Sequence, residues 1–302
     1  MLRKNLFCWI ALTLIALTWS GAVSRVNAAS GPKENEKGSL RRQLWHIAFP
    51  AANVEMRTLV FRPPGAGPFP LAVINHGSTQ NSESRTRLPM QEFESLTTWF
   101  VRHGYAVAVP ERPGHGLTGG AYLEDQQGCE NAEYRNSGLA TASSIEVAVS
   151  YMAKQPFVRK NSVVVVGQSA GGWGALALAS RNPSGVRAVI NFSGGRGGRS
   201  YDRPNNNCAP DRLIAAVREF GSTARIPTLW IYTQNDSYFP PNLSQRMAEE
   251  FGLAGGSVEY HLLPSFGIEG HLLAESRDTA NIWGPALDAF LARLRQMRGE
   301  GN

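Results

Sequence analysis

Short apolar runs rich in β-branched residues alternate with amphipathic stretches along most of the chain. Residues 44–49 and 54–61 read as two strands that enter a sheet antiparallel. A Pro/Gly cluster at 63–68 breaks the pattern. Residues 70–75 and 105–109 are apolar enough for buried strands, with a helix predicted over 93–102 between them. Residues 137–152 place Ile145, Ala148, Val149 and Met152 at helical spacing. Further strands are predicted at 162–166, 186–192, 227–233 and 258–263, and further helices over 172–179, 243–251 and 283–297. Apolar strands alternating with helices predict a mainly parallel sheet with helices on both faces.

Two stretches escape this periodicity. Residues 110–137 and 196–211 are polar and irregular, and a stretch as long as the first is usually either functional or disordered. One holds Cys129 and the other Cys208. A bridge between them would tie the two loops into a small cap over the carboxyl ends of the strands. It would close a long loop, and on the chain-entropy account it is worth roughly 4.5 kcal/mol.

The N-terminus has a different character. Arg3 and Lys4 precede an uncharged apolar run from Leu6 to Trp19, and Val26-Asn27-Ala28 fits a small-residue cleavage site. This predicts a secretory signal peptide over 1–28, with Ser20-Gly21-Ala22 as an alternative cut and an uncleaved anchor as the alternative reading. The run is short for a membrane span, so no stable span is expected after cleavage. Cys8 lacks the small residues expected of a lipoprotein site. The remaining 274 residues suit one large α/β domain behind a polar, flexible leader at 29–40. Arg3, Lys4 and Arg25 leave with the segment, so the formal charge falls from +6 to +3, and scattered charge of that size gives no case for nucleic-acid binding. Export to a secreted or periplasmic location favours the Cys129–Cys208 disulfide. Neither cysteine has metal-ligand spacing, and no metal site is expected.

The candidate chemistry sits after the strand at 162–166. Gly167-Gln168-Ser169-Ala170-Gly171 reads G-x-S-x-G and is followed by a small-residue helix. Strand, sharp turn and helix are the setting in which a serine becomes a nucleophile. Ser169 still needs a base, and an imidazole titrates near working pH. In parallel sheets such groups gather at the carboxyl ends of strands. Asp236 follows the strand at 227–233, and His271 follows the one at 258–263. Asp236 would orient the imidazole and stabilise its charged form. The N–H of Ala170 is the expected first oxyanion donor. The second is expected from the His76-Gly77-Ser78 turn, with Ser78 favoured and Gly77 as the alternative. Glu269 lies too near His271 for the usual orientation of an acid partner. His46 and His261 read as strand residues, His76 as part of the oxyanion turn and His103 as a helix end. His115 precedes the serine, the wrong order for the base, and is a candidate for the pocket with Trp173, Tyr238 and Phe266.

Gly167-Gln168-Ser169-Ala170-Gly171-Gly172, the His76-Gly77 turn, Asp236 and Gly270-His271 together resemble the α/β-hydrolase superfamily over nearly the whole mature length. The two glycines opening the helix after Ser169, and the 227–231 strand leading to Asp236, are similar to the dienelactone hydrolase and acylaminoacyl-peptidase-like esterase branch. The resemblance implies an α/β-hydrolase domain over 41–302 with a loop-rich cap. True dienelactone hydrolases use a cysteine nucleophile, so Ser169 departs from them. The expected activity is hydrolysis of small-molecule carboxylic esters through an acyl-enzyme on Ser169, without cofactor. The alternatives are an aminopeptidase or amidase acting on small peptides, and a non-catalytic binding protein on the same scaffold.

Overall fold

Nine strands form one sheet among the residues described by the computed structural model, which are 30–297 and Gly299. The signal peptide predicted over 1–28 lies outside the described residues. The strands are β1 (Gly31–Pro32), β2 (Gln43–Phe49), β3 (Val54–Phe61), β4 (Phe69–Asn75), β5 (Ala106–Pro110), β6 (Val158–Gln168), β7 (Val186–Phe192), β8 (Thr228–Thr233) and β9 (Val258–Leu263). Their order is β1-β2-β3-β5-β4-β6-β7-β8-β9. The first three strands and the β3–β5 pairing are antiparallel, and every pairing from β5 through β4 to β9 is parallel. The predicted antiparallel entry and parallel body are both present.

The pleat of β6 shows why its valine run needs no polar face. Val163 and Val165 join the core cluster on one side of the sheet, and Val164 and Val166 join the cluster on the other. Side chains alternate across a strand, so a strand covered on both faces must be apolar at every position. Each fully buried valine is worth roughly 1.5–3 kcal/mol relative to exposure. One face is covered by α3 (Tyr134–Met152), α4 (Ala170–Arg181), α5 (Pro210–Thr223) and α6 (Pro241–Leu253), which supply Ile145, Leu176, Val217 and Phe251 to its core. The other is covered by α2 (Glu94–Arg102) and α7 (Ala280–Gln296), which supply Phe100, Trp283 and Leu287.

Three elements were not foreseen. The helix α1 (Ser82–Arg87) has no apolar stripe and is started by Asn81, whose side chain accepts the Ser84 N–H. The helix α5 follows the second loop directly, and its signal was the spacing of Leu213, Ile214, Val217 and Phe220. Residues 30–40, read as a leader, run along the sheet edge: Gly31 and Pro32 pair with His46 and Trp45. The first irregular stretch is also shorter than expected, because α3 begins at Tyr134.

Both long loops emerge at the carboxyl end of the parallel strands. The Cys129–Cys208 disulfide joins them, with the two Cα atoms 5.2 Å apart across a sequence separation of 79.

Candidate active site

Ser169 stands between β6 and α4 with φ +53° and ψ −120°, a backbone conformation that is strained for a residue with a side chain. Hydrogen bonds hold it there. Its N–H donates to the Phe192 carbonyl at 3.0 Å, and its own carbonyl accepts from Trp173 N–H at 2.9 Å and Gly195 N–H at 3.2 Å. The flanking glycines have a steric cause. A Cβ on Gly167 would lie 2.2 Å from the Gly171 carbonyl oxygen, and one on Gly171 would lie 2.2 Å from the Asn75 carbonyl oxygen. Strand, elbow and the neighbouring β4 end touch backbone to backbone.

Asp236 follows β8 and His271 opens a short 3-10 turn after β9. The buried imidazole Nδ1–H donates to the Asp236 carboxylate, 3.2 Å from both oxygens. Asp236 Oδ1 also accepts the N–H groups of Tyr238 and Phe239, each at 2.9 Å. Those amide bonds lock the carboxylate, and the carboxylate fixes the tautomer that leaves Nε2 without its proton. Residues 169 and 271 line one cavity of about 240 Å³ together with Gly77, Ser78, His115, Gln168 and Tyr238. The three residues chosen from sequence, far apart along the chain, therefore meet at one end of the sheet.

The turn after β4 lies against the serine. A Cβ on Gly77 would sit 3.3 Å from Ser169 Cβ. Beneath the turn is a directional hydrogen-bond chain that sequence reasoning missed. Arg196 and Gln80 donate to the Tyr122 hydroxyl, each at 3.0 Å, which leaves the phenol proton for Ser78 Oγ at 3.1 Å. The Ser78 hydroxyl then donates to His115 Nε2 at 2.8 Å, while His115 Nδ1–H faces the Pro113 and Arg112 carbonyls. This direction requires a neutral His115. Burial, then the nearby Arg112, pushes its pKa down to about 4. Burial, with Arg112 and His115 adding to it, pushes His76 well below its ordinary value too.

The same layer holds a buried ionic cluster. Glu124 accepts from both Arg112 and Arg196, and Arg112 Nη1 also donates to the His76 carbonyl at 2.8 Å. Burial works against ionising Glu124, yet the two guanidinium groups hold its pKa well below the usual carboxylate range. Arg112 and Glu124 share the first irregular loop and Arg196 stands on the second, and the three show no motif, so nothing in the pattern announced them.

A second cavity of about 430 Å³ is also lined by Ser169. Both disulfide-linked loops line it, including Gln126, Arg196 and Arg199, and it shares Ser78 and Tyr238 with the first. Tyr238 lines both cavities and His115 lines the first. Trp173 lines neither: it is fully buried in the core, where its indole N–H donates to the Tyr134 carbonyl at 2.8 Å. Its ring packs against Phe220 of α5, with centroids 5.1 Å apart. Phe266 also lies outside both linings, packed against the core cluster beside α7 with its N–H bonded to Asn235. The remaining histidines fill structural positions. His46 pairs with Glu55, His261 with Glu259, and His103 bonds the Trp99 carbonyl at the end of α2.

Among the described residues no group of three or more His, Cys, Asp or Glu is placed to hold a metal ion, and no helix is long and apolar enough to cross a membrane.

The sheet order, the elbow and the site at the strand ends define an α/β-hydrolase. Residues 56–271 match the model of the dienelactone hydrolase family, and the chain belongs to that family. It is similar to Protein bem46 of Schizosaccharomyces pombe, 26% identical over 147 residues, which is 43% of this chain and 48% of that protein. The chain thus matches about half the length of this curated relative. Among solved structures, it resembles Est1E from Butyrivibrio proteoclasticus with a TM-score of 0.54 and 15% identity, covering 83% of this chain and 98% of that one. It also resembles the acylaminoacyl peptidase of Pyrococcus horikoshii with a TM-score of 0.58 and 15% identity, covering 85% of this chain and 42% of the peptidase. At this identity the two structures speak for the fold, and the family match carries the family assignment.

Proposed function

We propose that this chain is an exported serine hydrolase that cleaves carboxylic esters through an acyl-enzyme on Ser169. The observation that carries the reading is that His271, hydrogen-bonded to Asp236, lines the same cavity as a serine on a strained elbow. His271 Nε2 takes the hydroxyl proton as Ser169 attacks the ester carbonyl carbon. The new C–O bond pushes the carbonyl electron pair onto oxygen, where the N–H groups of Ala170 and of Ser78, with Gly77 as the alternative, receive it. The imidazolium returns its proton to the leaving alkoxide as the ester C–O bond breaks. Water then repeats the sequence on the acyl-enzyme and frees the acid.

Ser169 lines both cavities, so one suits the acyl group of an ester and the other its alcohol. The serine–imidazole chemistry needs no metal or organic cofactor. Export rests on the N-terminal signal pattern and on the Cys129–Cys208 bridge, which suits an oxidising compartment.

A fluorophosphonate probe tests the nucleophile, with labelling of the native protein expected and none expected for Ser169→Ala. No labelling of the folded native protein would point instead to a binding protein on this scaffold. Parallel turnover of p-nitrophenyl esters and aminoacyl p-nitroanilides tests the substrate class. Faster anilide cleavage would assign the chain to the amidases or aminopeptidases.

A further inference from the structure

We infer that Glu269 is a positioning residue for the Asp236–His271 pair, and that Arg199 ties it to the disulfide-held loop. The inference rests on the roles just proposed for Ser169, Asp236 and His271.

The acid and the imidazole stand on separate loops, one after β8 and one after β9. Besides the Asp236–His271 bond itself, two side chains join these loops. Asn235 holds the far part of the second loop through Phe266 N–H at 2.8 Å and the Phe266 and Gly267 carbonyls. Glu269 holds the near part, at the reacting groups themselves. Its Oε1 accepts His271 N–H at 3.0 Å and Ser237 N–H at 3.1 Å, and its Oε2 accepts the Ser237 hydroxyl. One carboxylate thus clamps the backbone of His271 to the residue that follows Asp236. Charge-assisted bonds to backbone N–H groups are the stronger kind, so this clamp is stiff.

Glu269 is itself anchored from the second loop. Arg199 Nη1 lies 3.5 Å from Glu269 Oε2 and donates to Ser237 Oγ at 3.1 Å. Its guanidinium lies 5.5 Å from the centre of the Tyr238 ring, which stacks on His271. The same loop gives Asn205 N–H to the Ser237 carbonyl at 2.7 Å. Cys208 pins this loop to Cys129. A continuous set of polar contacts therefore runs from the disulfide-held loop through Arg199 and Glu269 to the imidazole backbone. Glu269 touches no substrate cavity in this arrangement, so its effect passes through His271 and Asp236.

The test measures steady-state hydrolysis of p-nitrophenyl acetate by the native chain and by Ser169→Ala, Glu269→Ala, Glu269→Gln, Arg199→Ala and the Glu269→Ala/Arg199→Ala double variant. Loss of the clamp misplaces the base, so Glu269→Ala should lower kcat by about a hundredfold while KM stays within about threefold. Glu269→Gln should recover roughly tenfold of that loss, because its amide oxygen still accepts backbone N–H. Arg199→Ala should lower kcat by about tenfold, and the double variant should be no worse than Glu269→Ala, since the two act through one contact. Wild-type kcat in Glu269→Ala, a rise confined to KM, or losses that multiply in the double variant would overturn the inference. If Glu269→Ala does not fold, an undiminished kcat in both Glu269→Gln and Arg199→Ala overturns it equally. An inactive Ser169→Ala beside an unimpaired Glu269→Ala removes only the positioning role. A Ser169→Ala enzyme with native turnover removes the nucleophile assignment itself.

Discussion

Tyr238 stacks on the imidazole of His271, with ring centroids 4.2 Å apart and planes 20° from parallel. The tyrosine follows Asp236 by two residues, and its N–H bonds the Asp236 carboxylate. One short segment thus orients the imidazole twice, through its edge by the acid and through its face by the ring. Such a ring contact is worth about 1 kcal/mol, so Tyr238→Ala should lower kcat by roughly fivefold while Tyr238→Phe stays near native. Equal losses in the two variants would mean that the phenol hydroxyl, not the stack, matters.

His271 and His261 give opposite expectations. His271 is buried against Asp236, whereas His261 lies on β9 and pairs with Glu259 at 2.7 Å. His271→Ala should abolish ester hydrolysis. His261→Ala should keep kcat and cost at most about 1 kcal/mol of stability, the worth of a partly exposed pair. Turnover in both variants, with thermal melts alongside, checks the assignment.

Stability should fall as the solution is acidified from about pH 6.5 to about pH 4. His115 has its folded pKa pushed down to about 4 from an ordinary value of 6.5, and His76 is shifted the same way. In that window the unfolded chain binds protons that the folded one refuses, so folding stability rises with pH and is lost on descent. His115 alone accounts for on the order of 3 kcal/mol across the window. Below it, Glu124 adds a loss of the same sign, because its folded pKa is depressed and protonation removes the partner of two buried guanidinium groups. Urea midpoints at stepped pH measure the slope, and His115→Gln should flatten it. A midpoint independent of pH over this range would refute the neutral, buried histidines.

Native protein without residues 1–28 should show no free thiol until it is reduced, because Cys129 and Cys208 are bonded. Reduction should destabilise by roughly 4–5 kcal/mol on the chain-entropy account and loosen the larger cavity, which both loops line. A thiol count on unreduced protein and a comparison of melting temperatures with and without reductant check this. Two titratable thiols in the unreduced chain would contradict the bridge.

Much of the molecule was legible in the pattern of residues. The valines of β6 and the small residues of α4 announce their own geometry, because a doubly covered strand must be apolar throughout and a close-packed elbow excludes Cβ atoms at Gly167 and Gly171. Ser169, Asp236 and His271 were readable for a related reason: each follows a recognisable strand, and a parallel sheet delivers its strand ends to one rim. The sequence alone therefore determined the sheet, the elbow and the order of the candidate triad.

Only the folded chain decided what surrounds them. Trp173 lies four residues after the nucleophile in sequence but is buried in the core, where tertiary packing sets it against Tyr134 and Phe220. Arg112, Glu124 and Arg196 come from irregular loops with no period to reveal which side chains converge. Glu269 looked like a rejected acid and turned out to bind backbone N–H groups on two loops at once. Local periodicity carries information about an element's own faces. Contacts between loops depend on where the whole sheet brings them, and that is fixed by packing rather than by spacing along the chain.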